Sequence, residues 1–208
     1  MRAISNLSSW IEDDLSDLVP KETAQHLELL RKRTGRLENL ISGILEYSRV
    51  GRSHVEINDV DVGQLIQEVI EDLAPPDGMD ISIGPGMPTM RTESTRFAQV
   101  FSNLIGNAVK HHPGPSGRIE IDVVSTSTHF KFSVRDDGDG IAPEYHDRIF
   151  AIFQTLQPRD KHEATGVGLA IVKKIVDEIG GRLWVESIPY EGATFNFTWP
   201  RTDPEGEV

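Results

Sequence analysis

Cysteine is absent from this chain of 208 residues, which removes disulfide frameworks, thiolate metal sites and cysteine nucleophiles together. Cations are also scarce: 21 Lys and Arg stand against 33 Asp and Glu, a net charge of −12. A nucleic-acid surface needs clustered cations to displace counterions from phosphates, so no nucleic-acid partner is expected. No apolar run approaches the roughly 20 residues that cross a bilayer. The expectations are therefore protein or small-ligand partners, no membrane segment in this chain and a cytoplasmic setting. There is no internal repeat and no low-complexity block. What is present is ordinary globular material, 38% hydrophobic and 26% charged, enough for one good core and an appendage.

The first fifty residues are organised differently from the rest. Ile4, Leu7, Ile11, Leu15 and Leu18 step by three and four, which predicts an amphipathic helix ending near Val19-Pro20. From Lys21 to about Ser48, the positions Leu27, Leu30, Thr34, Leu37, Ile41, Ile44 and Ser48 form a heptad seam, and the two segments together predict a helical hairpin. Leu29, Leu40 and Leu45 widen the stripe beyond one partner, so the expectation is a homodimer through the hairpin, a four-helix bundle. The alternative is that the hairpin packs on the remainder of its own chain. The helix lengths are unequal: about 42 Å for the second against about 27 Å for the first at 1.5 Å per residue. Ile41, Ile44 and Leu45 are left without a partner from the first helix, and a segment upstream of Met1 is expected.

Gly51-Arg52-Ser53 reads as the linker between a hairpin over 1–50 and a second domain over 54–201, followed by a polar tail over 202–208. Residues 54–62 predict a strand, Gln64–Leu73 a helix stopped at Pro75-Pro76, and 79–93 two short strands around GPGMP. Ser94 or Thr95 is the expected cap of a helix running to about His111. Residues 119–125 and 130–135 alternate as a strand pair turning near Ser127. A short helix is expected from Pro143 through Ile149 and another over 166–179, with 182–186 and 193–199 as a closing hairpin. The fold class is α+β: a mixed sheet with helices on one face, carrying the helical hairpin in front.

The chemistry lies in three pieces whose order matters. On the helix ending at His111, Asn103, Asn107 and Lys110 share one face. An amide oxygen is a hard neutral ligand suited to Mg²⁺, and a Lys ammonium is a compact cation suited to phosphate. Downstream, Asp136 ends a strand where it could accept the exocyclic amine of adenine, and Gly138 and Gly140 let a base approach the backbone ahead of Ile141. Further on, Thr165, Gly166, Val167, Gly168 and Leu169 open a helix whose free N–H groups and dipole favour phosphates. Each piece alone has a plainer reading: capping or surface bonding for the two Asn, an ordinary tight turn, a loop-to-helix junction. Their joint occurrence in this order points to an ATP site.

These motifs resemble the N, G1, F and G2 boxes of the sensor histidine kinases, within the Bergerat-fold ATPases that include gyrase, mismatch-repair ATPases and certain heat-shock chaperones. QVFSNLIGNAVKH (99–111) is similar to the N box, VRDDGDGI (134–141) to the G1 box, RIFAIF (148–153) to the F box, TGVGLAIVKKIV (165–176) to the G2 box and EGATFNF (191–197) to the final glycine-threonine segment containing Thr194. The resemblance covers nearly the whole chain and is nearest the phytochrome-type light-sensor kinases. It implies an α/β two-layer sandwich of the Bergerat ATP-binding type behind the dimerisation hairpin. It implies ATP and Mg²⁺ as cofactors, with Mg²⁺ on Asn107, phosphates on Lys110 with help from His111, and adenine on Asp136. The loop 157–164 would be a lid carrying Arg159 and Lys161 to the γ-phosphate. The implied partners are a response regulator receiver domain and an upstream sensor domain. Where hydrolytic relatives carry a Glu, this chain has Asn103, whose amide cannot take up a proton. Slow hydrolysis and transfer of the γ-phosphate to a histidine are expected instead.

One part of the pattern is absent. The kinases hold their phosphoacceptor in a motif like HExxxP or HDLxxP on the first hairpin helix, and none of the seven histidines here lies in such a motif. His26 does not match it. The expectation is a trimmed piece of a sensor kinase that binds Mg-ATP without phosphorylating itself; the alternative is a natural acceptor-less protein. Two other classes compete: a non-catalytic dimerisation and docking module for a receiver domain, and an ATP-driven conformational switch.

Overall fold

The structure is a computed structural model that describes residues 2–15, 20–51, 57–154 and 165–201. Helices α1 (Arg2–Leu15) and α2 (Lys21–Arg49) form the hairpin. They are joined by polar contacts as well as apolar ones, Arg31 donating to Ser8 Oγ at 3.1 Å and to Glu12 at 2.6 Å. Among the described residues α1 has 14 residues and α2 has 29, and the C-terminal half of α2 extends past α1.

That free half of α2 divides its faces. Ile41 and Ile44 of the heptad seam and Leu45 beside it are exposed at 45%, 46% and 51%. Another face, with buried Gly43 and Val50 and with Tyr47 packed against the core, meets the rest of the chain. Lys174 Nζ donates to the Tyr47 carbonyl at 3.0 Å and lies over its ring, and Gln99 donates to Glu46 at 2.6 Å. Packing on its own chain and leaving an apolar stripe open are thus compatible, because they use different sides of one helix.

Next come β1 (Ile57–Asp61), α3 (Val62–Leu73), β2 (Gly78–Ile83), β3 (Thr89–Glu93), α4 (Ser94–His111), β4 (Ser116–Ser125) and β5 (His129–Asp136). The chain ends through α5 (Gly168–Glu178), β6 (Leu183–Ser187) and β7 (Ala193–Pro200). Five strands form one sheet in the order β2-β4-β5-β7-β6, while β1 and β3 pair separately. Only β2 and β4 run parallel within the larger sheet. Helices α3, α4 and α5 cover it, giving the two-layer α+β sandwich expected.

The sandwich closes on an aromatic cluster. Phe97, Val100, Phe101, Leu104, Ile105 and Ala108 repeat at helical spacing along α4 and are all buried. They meet Phe132, Phe197 and Trp199 from the sheet, with the Phe97 ring 5.1 Å from Phe101 and 4.6 Å from Trp199 in edge-on contacts. Emptying one such ring position costs about 3–5 kcal/mol. The opposite face of α4, which carries Asn103 and Asn107, is thereby fixed toward the other side.

Several sequence expectations need correction. Neither Ser94 nor Thr95 caps α4: Ser94 is already helical, Glu93 holds the cap position, and no side-chain cap bond forms. Glu93 instead pairs with Arg96 at 3.1 Å. Helix α3 begins at Val62 rather than Gln64 because Asp61 accepts from the Gln64 N–H and caps it. From Pro143 to Phe150 there is no continuous helix but two 3-10 turns, Pro143–Tyr145 and Arg148–Phe150. Helix α5 starts at Gly168, since Gly166 sits at φ +66°, which a right-handed helix does not admit. The expected end of the first helix near Val19, the 52–53 linker residues and the polar tail lie outside the described residues.

Candidate functional site

Packing of the apolar face of α4 turns Asn103, Asn107, Lys110 and His111 into a cavity of about 510 Å³. Asp136, Gly140 and Ile141 from the end of β5 line a second wall, and Thr165 through Leu169 at the start of α5 a third. Three segments distant in sequence therefore converge, in the arrangement their order implied. The Asn103 amide is oriented: its Nδ2 donates to the Gln99 carbonyl at 2.8 Å, which turns Oδ1 toward the glycine pair. A Cβ placed on Gly168 would stand 2.7 Å from that oxygen, so only glycine lets α5 begin this close to α4.

The acidic turn is anchored by its own carboxylates. Asp136 Oδ1 accepts the N–H of Gly138 at 3.0 Å and that of Ala193 at 3.3 Å. Both bonds fall on one oxygen and leave Oδ2 for a ligand. Burial pushes the Asp136 carboxyl above its ordinary range, and these two N–H groups pull against that rise. Asp137 points the other way: its Oδ1 accepts the Arg118 N–H at 2.7 Å and lies 3.2 Å from His112 Nε2. The Arg118 N–H leads in holding the Asp137 carboxyl below its ordinary range, with His112 adding to it. One carboxylate thus faces the cavity half-desolvated while its neighbour serves as a structural tie.

Not every expected residue reaches the cavity. Gly138 does not line it, because its N–H is folded back onto Asp136. Thr194 does not either: Ala193 and Phe195 do, and alternation along a strand sends the residue between them to the opposite sheet face. Arg159, Lys161 and the rest of the proposed lid lie outside the described residues. Among the described residues that flank it, Phe153 donates its N–H to the Gly166 carbonyl at 2.9 Å. His112, next to His111, does not line the cavity; its ring lies 3.0 Å from the Gly114 carbonyl and 3.2 Å from Asp137 Oδ1.

Sequence reasoning missed a fourth wall. Asn39, Ser42, Gly43 and Glu46 of the hairpin helix α2 also line the cavity. A Cβ on Gly43 would come within 3.1 Å of Val167, so glycine in an otherwise ordinary helix marks the crossing point. That signal was in the sequence, as a glycine on the flank of the heptad seam, but nothing local named its partner.

The donor set suits ATP with Mg²⁺. A cavity with amide oxygens from Asn103 and Asn107, the Lys110 cation, helix N–H groups and one buried carboxylate offers a distinct partner to metal, phosphates and base. Among the described residues there is no cluster of three or more His, Asp or Glu side chains to hold a metal alone. Mg²⁺ here would share its shell between an amide and nucleotide phosphate oxygens, as this ion commonly does.

Comparison with known proteins agrees with this geometry. Residues 92–203 match the model of the histidine kinase-, DNA gyrase B-, and HSP90-like ATPases. Cyanobacterial phytochrome B of Nostoc sp. (strain PCC 7120) is 34% identical over 203 residues, which is 95% of this chain and 27% of that protein. The chain therefore spans about a quarter of the length of that relative. Among solved structures, full-length ShkA in complex with AMPPNP superposes with a TM-score of 0.70 at 25% identity, covering 97% of this chain and 46% of that one. Histidine kinase ThkA in complex with response regulator protein TrrA gives a TM-score of 0.67 at 25% identity, covering 98% and 59%.

Proposed function

Since this chain belongs to the family of histidine kinase-, DNA gyrase B-, and HSP90-like ATPases, among the sensor histidine kinases, we propose that it binds Mg-ATP and donates the γ-phosphate to a histidine. The phosphate would pass from there to an aspartate of a receiver domain. The observation that carries this is the convergence of Asn107, Lys110, Asp136 and the Gly166–Gly168 segment on one cavity. Asn107 is the Mg²⁺ ligand, Lys110 and His111 attend the phosphates, and Asp136 Oδ2 accepts the adenine amine. Bound Mg²⁺ would offset phosphate charge during transfer. Asn103 has no basicity with which to activate water, so hydrolysis is slow. Arg159 and Lys161 supply lid cations.

The partners follow from the same reading. The exposed stripe with Ile4, Leu7, Leu37, Ile41 and Ile44 forms a homodimer with the same stripe of a second copy. The ThkA structure contains a response regulator, which supports a receiver domain as the recipient. The quarter-length match to a phytochrome supports a sensor domain elsewhere in the complete protein. Because none of the seven histidines lies in an acceptor motif, this chain by itself is expected to bind nucleotide without gaining phosphate.

A second reading has one observation in its favour. The hairpin helix forms a wall of the cavity, so nucleotide binding would bias hairpin geometry as an ATP-driven switch. Calorimetry with Mg-ATP, followed by intact mass measurement of the incubated chain, tests both. Binding heat with an unchanged mass is expected. Silence at millimolar nucleotide would point to a docking module, and a gain of one phosphate would disprove the missing acceptor.

A further inference from the structure

The acidic turn has no side chain of its own to fix its far end. Asp136 holds the near end through Gly138 and Ala193, but Gly140 sits at φ +67° and Ile141 enters the cavity wall beyond it. The far end is held from outside, at the Ile141 carbonyl by His146 Nε2 at 3.0 Å and at the backbone N–H side by the β6–β7 connection. Tyr190 donates its N–H to the Asp139 carbonyl at 2.6 Å, a main-chain contact available to any residue there. Ile141 donates its N–H to Ser187 Oγ at 2.8 Å, and Ser187 Oγ donates in turn to the Gly192 carbonyl at 2.6 Å.

A hydroxyl has one proton and two lone pairs, so a single Oγ both accepts and donates in fixed directions. Ser187 is the last residue of β6 and pairs with Ala193 on β7. Ala193 is the residue whose N–H holds Asp136 Oδ1. The hydroxyl therefore ties Ile141, at the end of the acidic turn, to the backbone segment Gly192–Ala193 that orients Asp136. Backbone approach here is already as close as it can be: a Cβ on Gly192 would lie 2.0 Å from the Asp136 carbonyl oxygen, and one on Gly140 2.1 Å from that of Ile188. A clasp in so tight a place transmits small displacements to the carboxylate rather than absorbing them.

We propose that Ser187 is the positioning residue of the adenine site, its hydroxyl holding the acidic turn so that Asp136 Oδ2 faces the base. The proposal rests on the reading of Asp136 as the adenine acceptor. Ser187 touches no nucleotide itself and acts through Ile141, Gly192 and Ala193. Replacing it by Ala leaves the Ile141 N–H and the Gly192 carbonyl without their shared partner, and losses of that kind amount to about tenfold in an equilibrium. Thr retains the hydroxyl and should restore the tie.

The test compares Mg-ADP with Mg-inosine diphosphate, which lacks the exocyclic amine, on the native chain, Ser187→Ala and Ser187→Thr. Native chain and Ser187→Thr should prefer ADP, whereas Ser187→Ala should lose about tenfold in ADP affinity with inosine diphosphate binding little changed. A merely structural role would weaken both nucleotides equally, or lower only the melting temperature, and either result overturns the proposal. Hydrogen exchange at the Ile141 amide gives a readout that needs no nucleotide: faster exchange in Ser187→Ala supports the clasp, unchanged exchange refutes it. Should the native chain show no preference between the two nucleotides, the adenine reading of Asp136 falls, and the Ile141 exchange rate still decides whether the clasp exists.

Discussion

Gly43 of the hairpin helix lies directly against Val167 at the mouth of α5, so near that a Cβ on the glycine would stand 3.1 Å from the valine Cβ. This contact joins the hairpin helix α2 to the start of α5, where both line the candidate nucleotide cavity. The spacing falls just short of the Cβ–Cβ range of a disulfide, roughly 3.5–4.5 Å, a gap that a small outward shift of α2 closes. Because the chain contains no cysteine, Gly43→Cys combined with Val167→Cys would introduce a single thiol pair. Mild oxidation is expected to lock the two within one chain, read as a mass loss of two hydrogens and faster migration on a non-reducing gel. Only reduced or intermolecularly linked product would mean that α2 does not rest on α5 in solution.

Asp136→Asn keeps the shape of the side chain but removes its charge. A charge-assisted hydrogen bond contributes about 1.5–3 kcal/mol, so ADP affinity is expected to fall between roughly tenfold and a hundredfold. The folded chain should otherwise persist, since the amide oxygen can still accept the Gly138 and Ala193 N–H groups. Titration calorimetry with Mg-ADP measures it, and affinity within twofold of the native chain would contradict the assignment.

The neighbouring carboxylates predict opposite responses to acid. Burial raises the Asp136 pKa above its ordinary 3.8, so the folded chain holds that proton more tightly than the unfolded one. Its cost to stability grows as pH rises through 3.8 toward the raised value and is complete above it. Asp137 is lowered from the same 3.8 by the Arg118 N–H, so its contribution is fully present above 3.8 and is lost as pH falls through the lowered value. If Asp136 accepts the adenine amine, it must be ionised to do so. ADP affinity should therefore fall in mild acid, with a midpoint above 3.8, before the Asp137 tie is titrated. Affinity measured across that range in the native chain and in Asp136→Asn checks this, the variant giving a flatter profile.

Asn107→Ala should separate metal from nucleotide. If Asn107 supplies the protein's amide oxygen to Mg²⁺, the native chain binds ATP more tightly with Mg²⁺ than with EDTA, and the variant shows little difference between the two. Equal Mg²⁺ dependence in both proteins would remove Asn107 from the metal site.

Gly117→Ala addresses the tie on the opposite side of the acidic turn. A Cβ there would fall 2.3 Å from His112 Nε2, displacing the ring from Asp137. Overpacking of this kind costs about 1–3 kcal/mol, and thermal melting should drop accordingly. An unchanged melting temperature would show that His112 moves aside without cost.

The sequence by itself determined which segments meet at the candidate site. Local rules suffice for that: helical spacing put Asn103, Asn107 and Lys110 on one face of α4, alternation marked the strands, and glycine at positions such as 140 and 166 announced backbone that side chains would forbid. Its errors were local too. A capping Ser was expected at 94, but a Glu93–Arg96 ion pair took its place. Thr194 was carried over by motif, although strand alternation turns it away from the cavity.

Only tertiary structure decided what closes the site. The Gly43–Val167 crossing, the Glu46–Gln99 bond and the Ser187 clasp each join residues far apart in the chain. No period or motif encodes such a contact, since it arises when independently formed elements are packed to the density of a solid. The sheet order β2-β4-β5-β7-β6 brings the end of β5 beside the start of β7, and that adjacency gives Asp136 the Ala193 N–H. Sequence chose the donors and acceptors; packing chose which of their atoms remained for a ligand.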